Sequence, residues 1–158
     1  MAINILLTGA SRGIGAACAS LLASGDTRVF AASSKDADLG AAGGAEALWD
    51  KALDTLGGQI DILINNAGIF EATPLDSDDA DWLAAWQRTM TVNLEASAIL
   101  CRKAVLHWQA RKSGGRIVNV ASRAAHRGDS PMHWHYAASK GGMVAMTKTI
   151  ARAYAAEG

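Results

Sequence analysis

The chain has no excess of charge of either sign: 15 Lys and Arg offset 15 Asp and Glu over 158 residues. That argues against a general binder of nucleic acid or anionic membrane, which would carry a basic surplus. Cysteine is scarce. Cys18 and Cys101 both fall in segments with helical periodicity. They read as small buried hydrophobes in a reducing compartment. Tyrosine and phenylalanine occur twice each but tryptophan five times, so large aromatic anchors are present while phenols are few. No apolar run approaches the ~20 residues that span a bilayer. The opening Met1-Ala2-Ile3-Asn4-Ile5-Leu6-Leu7 shows no cationic leader or cleavage site. A cytoplasmic location is expected. Internal repeats and low-complexity tracts are missing too. Half of the residues are apolar and 19% are charged, a composition that fits one ordinary globular domain spanning 1–158.

What is present is an alternation of strand and helix patterns. Short apolar runs at Ile3 to Leu7, Arg28 to Ala32, Asp61 to Asn65 and Arg116 to Ala121 read as buried strands. Between them, Ile14, Ala17, Cys18, Leu21 and Leu22 follow the spacing of a core-facing helix closed by Gly25. Ala45 to Leu56 is a second helix, stopped by Gly57-Gly58. Asp78 to Arg111 reads as one long helix with acidic residues at its positive end and a core stripe through Leu83, Trp86, Met90, Asn93 and Ser97. The last helix runs from about Trp134 to Ala156. Such alternation predicts an α/β fold: a Rossmann-like doubly wound parallel sheet in three α/β/α layers, with ligands at the carboxyl ends of the strands.

Three stretches carry chemistry. Thr8-Gly9-Ala10-Ser11-Arg12-Gly13-Ile14-Gly15 joins the first strand to the first helix. Free N–H groups at a helix start and glycines that let backbone approach closely suit a phosphate-bearing cofactor. The spacing G-x-x-x-G-x-G differs from the general G-x-G-x-x-G fingerprint. Asn65-Asn66-Ala67-Gly68 follows the third strand. Tyr136 and Lys140 lie four residues apart on a helix, so their side chains share a face. An ammonium beside a phenol favours the phenolate, which makes the pair a candidate proton donor and acceptor. His133 and His135 have no apparent third ligand, so no metal site is expected.

The glycine loop, Asn65 to Gly68, Ser122 and the Tyr136/Lys140 pair occur in the order, and in the structural contexts, of the short-chain dehydrogenase/reductase family, which the chain resembles over most of its length. That resemblance implies a hydride-transferring oxidoreductase acting on a small-molecule ketone, aldehyde or alcohol, with 3-oxoacyl substrates among the candidates. It implies that Tyr136 protonates the carbonyl oxygen and that Lys140 holds the nicotinamide ribose. Ser122 would orient the carbonyl, and Asn93 would help hold a relay water. Gly9, Ser11, Arg12, Gly13, Ile14, Gly15, Ser33, Ser34, Asn66, Ala67 and Gly68 would line the cofactor site together with Tyr136 and Lys140. The end of the second strand, Ala31-Ala32-Ser33-Ser34-Lys35, lacks the acid that would bind the ribose 2′-hydroxyl of NAD. Arg12, with Ser33, Ser34 and Lys35, instead favours the 2′-phosphate of NADP. Asp36 is the residue whose aim could reverse that preference. The alternative from another class is a nucleotide-binding or interaction protein without turnover.

The chain departs from the family pattern in three places. Too few residues separate Ser34 from Asp38-Leu39 for a parallel crossover. One helix and its edge strand are therefore expected to be missing, and Asp38 is a doubtful adenine contact. The sequence stops at Gly158, short of the family's last strands and substrate-covering segment, so both sheet edges are expected to be incomplete. Ser122 and Tyr136 are one residue further apart than usual. The resemblance also implies a homodimer or homotetramer through the long helix and the tyrosine helix, with Trp82, Trp86 and Trp108 contributing apolar area.

Overall fold

A computed structural model describes residues 2–158. Strand β1 (Ile3–Leu7) leads into helix α1 (Gly13–Leu22), then β2 (Thr27–Ala31), α2 (Gly44–Thr55) and β3 (Ile62–Asn65). The chain continues through α3 (Asp79–Met90), a wide π-helical turn at Thr91–Glu95 and α4 (Ala96–Arg111). Strand β4 (Arg116–Asn119), the short α5 (Ala124–Arg127), α6 (Trp134–Tyr154) and a 3-10 turn at Ala155–Glu157 complete it. The long helix expected over Asp78 to Arg111 is thus interrupted, although it keeps one direction. Asp78 caps it, its carboxylate accepting from Ala80 N (2.8 Å) and Asp81 N (3.4 Å).

All strand pairings are parallel and the order is β2-β1-β3-β4. From β1 the chain steps one way to β2, then back across β1 to β3. Right-handed crossovers place α1 on one face of the sheet and α2 and α4 on the other. The strand order reverses between β1 and β3, so a crevice opens where their carboxyl ends diverge. As expected from the short link, residues 32–43 form only turns, and β2 is an edge strand. The other edge is β4.

The core lies on the α2/α4 face. Phe30, Leu6, Leu63 and Ile117 stand in register across the four strands. They pack with Leu48, Trp49, Ala52, Leu100, Ala104 and Trp108. Trp108 is 7% exposed and donates from Nε1 to Ile60 O at 2.7 Å. It is a core residue, which corrects its expected place at a subunit interface. Leu83 is also corrected: it is 49% exposed, and the buried line of α3 runs through Ala85 and Thr89 to Asn93. The wide turn causes this, because its extra residue rotates the helix surface upstream of Asn93. Helix α1 departs further from expectation. Ile14 and Leu21 are 64% and 78% exposed, and α1 supplies no residue to the main core.

Candidate functional site

The β1 and β3 turns are clamped together before any ligand is considered. Thr8 Oγ1 accepts from both Asn66 N and Ala67 N at 3.0 Å. Asn66 Nδ2 donates back to Thr8 O and Gly9 O, each at 3.0 Å. Glycine is required in this clamp. Gly9 has φ +68°, and a Cβ there would sit 2.7 Å from Ala67 Cα. A Cβ on Gly15 would collide with Gly9 O. The clamp makes Thr8, the first residue of the glycine-loop stretch, a site-forming residue in addition to those expected to bind cofactor.

Above the clamp lies a crevice of about 490 Å³. Of the residues expected to bind cofactor, Gly9, Ser11, Arg12, Ile14, Gly15, Ser33, Ser34, Asn66, Ala67 and Gly68 all line it. Gly13 begins α1 outside this lining, and a Cβ there would meet open space. Arg12, just before α1, makes no side-chain capping bond. The first N–H groups of the helix therefore keep no side-chain partner there, an arrangement that favours a bound anion. Among the described residues no carboxylate lies within ion-pair distance of the exposed Arg12. Asp38, Leu39, Gly40 and Val92 join the lining. A tight turn brings Asp38 in, its Oδ1 accepting from Gly40 N at 2.8 Å.

Asp36 is not part of the crevice wall. Its Oδ1 takes a 2.8 Å bond from Lys51 Nζ, and its Oδ2 accepts from Ser33 N (2.9 Å) and Ser33 Oγ (3.1 Å). Lys51 foremost, then the Ser33 N–H, holds this carboxyl below its ordinary range. Asp36, the acid expected to be able to reverse a preference for NADP, is thus folded back onto its own turn, while Asp38 is the acid that lines the crevice.

At the far end of the crevice, Gly68 adjoins the second part of the site. A Cβ on Gly68 would lie 3.2 Å from Asn93 Oδ1 and 3.6 Å from Lys140 Nζ. Lys140 is 4% exposed and donates to Val120 O at 2.8 Å. Burial lowers its affinity for a proton. Its Nζ stands 6.0 Å from the Tyr136 ring centroid. Ser122, just beyond β4, accepts from Ala124 N at 3.1 Å, which leaves its own proton free to donate.

Asn93 is fully buried within the wide turn. Its Oδ1 accepts from Ile69 N at 2.8 Å, and its Nδ2 donates to Ile69 O (3.0 Å) and Ser139 Oγ (3.2 Å). The amide therefore ties the β3 loop to α6 and meets the need of a buried polar group for partners. His135, 2% exposed, accepts from Tyr136 N at its Nδ1 (2.7 Å). The proton then belongs on Nε2, which reaches Thr73 Oγ1 at 3.0 Å. Burial, with His133 adding to it, disfavours the charged ring. Among the described residues no three His, Cys, Asp or Glu side chains converge as a metal site would require.

A family model described as short chain dehydrogenase matches residues 32–158, most of the chain. The chain belongs to the short-chain dehydrogenase/reductase family. It is 35% identical to 3beta-hydroxysteroid dehydrogenase 1 of Eggerthella lenta over 98% of its own length and 66% of that protein's. It is 37% identical to a 3-oxoacyl-[acyl-carrier-protein] reductase of a Synechocystis species, covering 97% of this chain and 68% of the reductase. Among solved structures, a 4-hydroxyisoleucine dehydrogenase complexed with NADH and succinate superposes with a TM-score of 0.83 at 31% identity. That match covers 97% of this chain and 74% of the neighbour. The chain thus spans about two thirds of the length of the curated relatives it matches. The match to the hydroxysteroid dehydrogenase extends over 178 positions against 158 in this chain. That relative therefore holds residues inside the matched span that this chain lacks.

Proposed function

We propose that residues 1–158 form one dinucleotide-binding domain, and that the protein is an NADP-dependent oxidoreductase interconverting a carbonyl and an alcohol. The observation that carries this reading is the position of Lys140. It is buried against Gly68 at the end of the nucleotide crevice and stands beside Tyr136. Bound NADPH supplies the hydride that reduces the carbonyl carbon. Tyr136 gives its proton to the carbonyl oxygen, or removes that proton in the reverse direction. The free O–H of Ser122 aligns the same oxygen. Lys140 holds the ribose and keeps a positive field on the phenol. Asn93 acts by position rather than by contact. Its amide is committed to Ile69 and Ser139, so it fixes the distance between the crevice loop and the helix that bears Tyr136 and Lys140.

The preference for NADP rests on charge. Arg12 lines the crevice without an ion-pair partner among the described residues, whereas Asp36 is occupied by Lys51 and Ser33. The solved relative named above holds NADH, so the comparison of the two cofactors is a direct test. We also place the protein in the cytoplasm as a homodimer or homotetramer. Both cysteines are free, and no helix among the described residues is long and apolar enough to cross a membrane. Trp82 and the exposed Leu83 leave apolar area on the long helix.

The test follows NADPH absorbance with a panel of ketones and aldehydes. Wild type should oxidise NADPH, and Tyr136→Phe should lose turnover by about 10²-fold or more while its NADPH Kd stays within about twofold. Retained turnover in Tyr136→Phe would exclude the assigned role. NADPH binding with no oxidation of any panel member would favour a nucleotide-binding protein without turnover.

A further inference from the structure

Resting on that catalytic reading, we propose that the site takes substrates with a flat, uncharged ring beside the carbonyl, and that Phe70 and His133 select them. Phe70 lies two residues beyond Gly68, between two tethers. Ile69 is held at both its N–H and its C=O by Asn93. Thr73 donates from its N–H to Met132 O at 2.9 Å and meets His135 through its hydroxyl at 3.0 Å. The Phe70 ring therefore has a fixed address. It stacks on the His133 ring at 3.9 Å between centroids and 4° between planes. It meets the Tyr136 ring at 4.7 Å and 77°. With those two contacts made, Phe70 is still 57% exposed. A large apolar ring, braced from behind and open in front, stands directly beside the proton donor.

The charge that adjoins Phe70 in the chain is already paired. Glu71 and Arg88 pair with each other at 2.7 Å. His133 Nδ1 is engaged by Ser130 Oγ at 2.7 Å, and Asp129 lies beyond it at 3.9 Å. Phe70 is thus the aromatic surface that meets Tyr136. A planar ring stacks on such a surface with more gain than a puckered one of equal size.

The test uses acetophenone and cyclohexyl methyl ketone, which share a carbon skeleton but differ in planarity. Wild type should prefer acetophenone by kcat/KM. Phe70→Leu, which keeps an apolar side chain at an exposed position, should lower the acetophenone to cyclohexyl ratio about fivefold. Binding is read separately by NMR titration of each ketone into the NADP⁺-loaded protein, a complex that cannot reduce it. Acetophenone Kd should rise about fivefold in Phe70→Leu relative to the cyclohexyl ketone. Selective binding without turnover of either ketone would sink the catalytic reading and leave the ring preference standing. Turnover of both ketones with no change of ratio in Phe70→Leu would overturn the ring preference and leave catalysis intact. Absence of binding by acetophenone would overturn the ring preference as well.

Discussion

On one face of the sheet Phe30, Leu6, Leu63 and Ile117 stand in register beneath α2 and α4; on the other, Ala31, Leu7, Ile64 and Val118 stand in register on the side of α1. The first row belongs to the buried core, with Leu6 and Leu63 at 0% exposure. In the second row Val118 is 47% exposed, and the helix on that side shows solvent Ile14 and Leu21. The difference runs into the site. The groups assigned to catalysis and positioning from the sealed side, Asn93 and Lys140, are buried and hydrogen-bonded. The glycine loop on the α1 side, Ser11 to Ile14, is exposed. Asn93 and Lys140 are tethered inside the protein, while the exposed glycine loop is anchored at its base by the clamp of Thr8 and Asn66 and by Ala10 N–H donating to Ala32 O at 2.8 Å.

Paired truncations test that contrast with the largest expected effect. Leu63→Ala should cost about 2–5 kcal/mol in urea unfolding, whereas Val118→Ala should cost less than about 1 kcal/mol. Equal costs would mean that the α1 face is covered in solution. Asn93→Ala comes next. It strips partners from Ile69 N–H and C=O, and a loss of about 1–3 kcal/mol is expected together with reduced kcat. Unchanged stability would show that the amide does not tie the loop to α6.

On the open side, Arg12→Ala should weaken NADPH about tenfold by calorimetry, the worth of one charge-assisted contact, and leave NADH within about twofold. Equal loss for both cofactors would remove the 2′-phosphate assignment. The smallest effect concerns pH. The buried His135 ring resists protonation, whereas in the unfolded chain it titrates near 6.5. Below that pH the unfolded state takes up a proton that the folded state refuses, so stability falls as pH drops from about 6.5 toward the lower folded value. Above 6.5 this contribution is constant. Exchanging His135 for Gln should flatten the acid limb of a thermal-unfolding profile between pH 7 and 5. An unaltered slope would clear His135 of that dependence.

Much of this was legible in the chain itself. The apolar runs locate the four strands to within a residue or two, and the missing crossover near Asp38 follows from its length alone. Ten of the residues assigned to the cofactor do line one crevice, because glycines with forced backbone geometry are visible in sequence. Three things were not legible. A wide turn leaves no periodic trace, so the stripe extrapolated from Asn93 put Leu83 inside. Trp108 was read as a docking residue although Leu100, Ala104 and Trp108 repeat at four-residue spacing, which marks the core face of α4. The open α1 face was missed because apolar strands in a parallel sheet imply burial on both sides, and nothing local reveals which side lacks a cover.

Amide hydrogen exchange with and without NADPH tests the central claim most directly, since it reads the crevice without requiring a substrate. Saturating NADPH is expected to slow exchange at Ser11 to Gly15 and at Asn66 to Gly68. Unchanged exchange in both segments at saturating cofactor would contradict the assignment of the crevice to a dinucleotide.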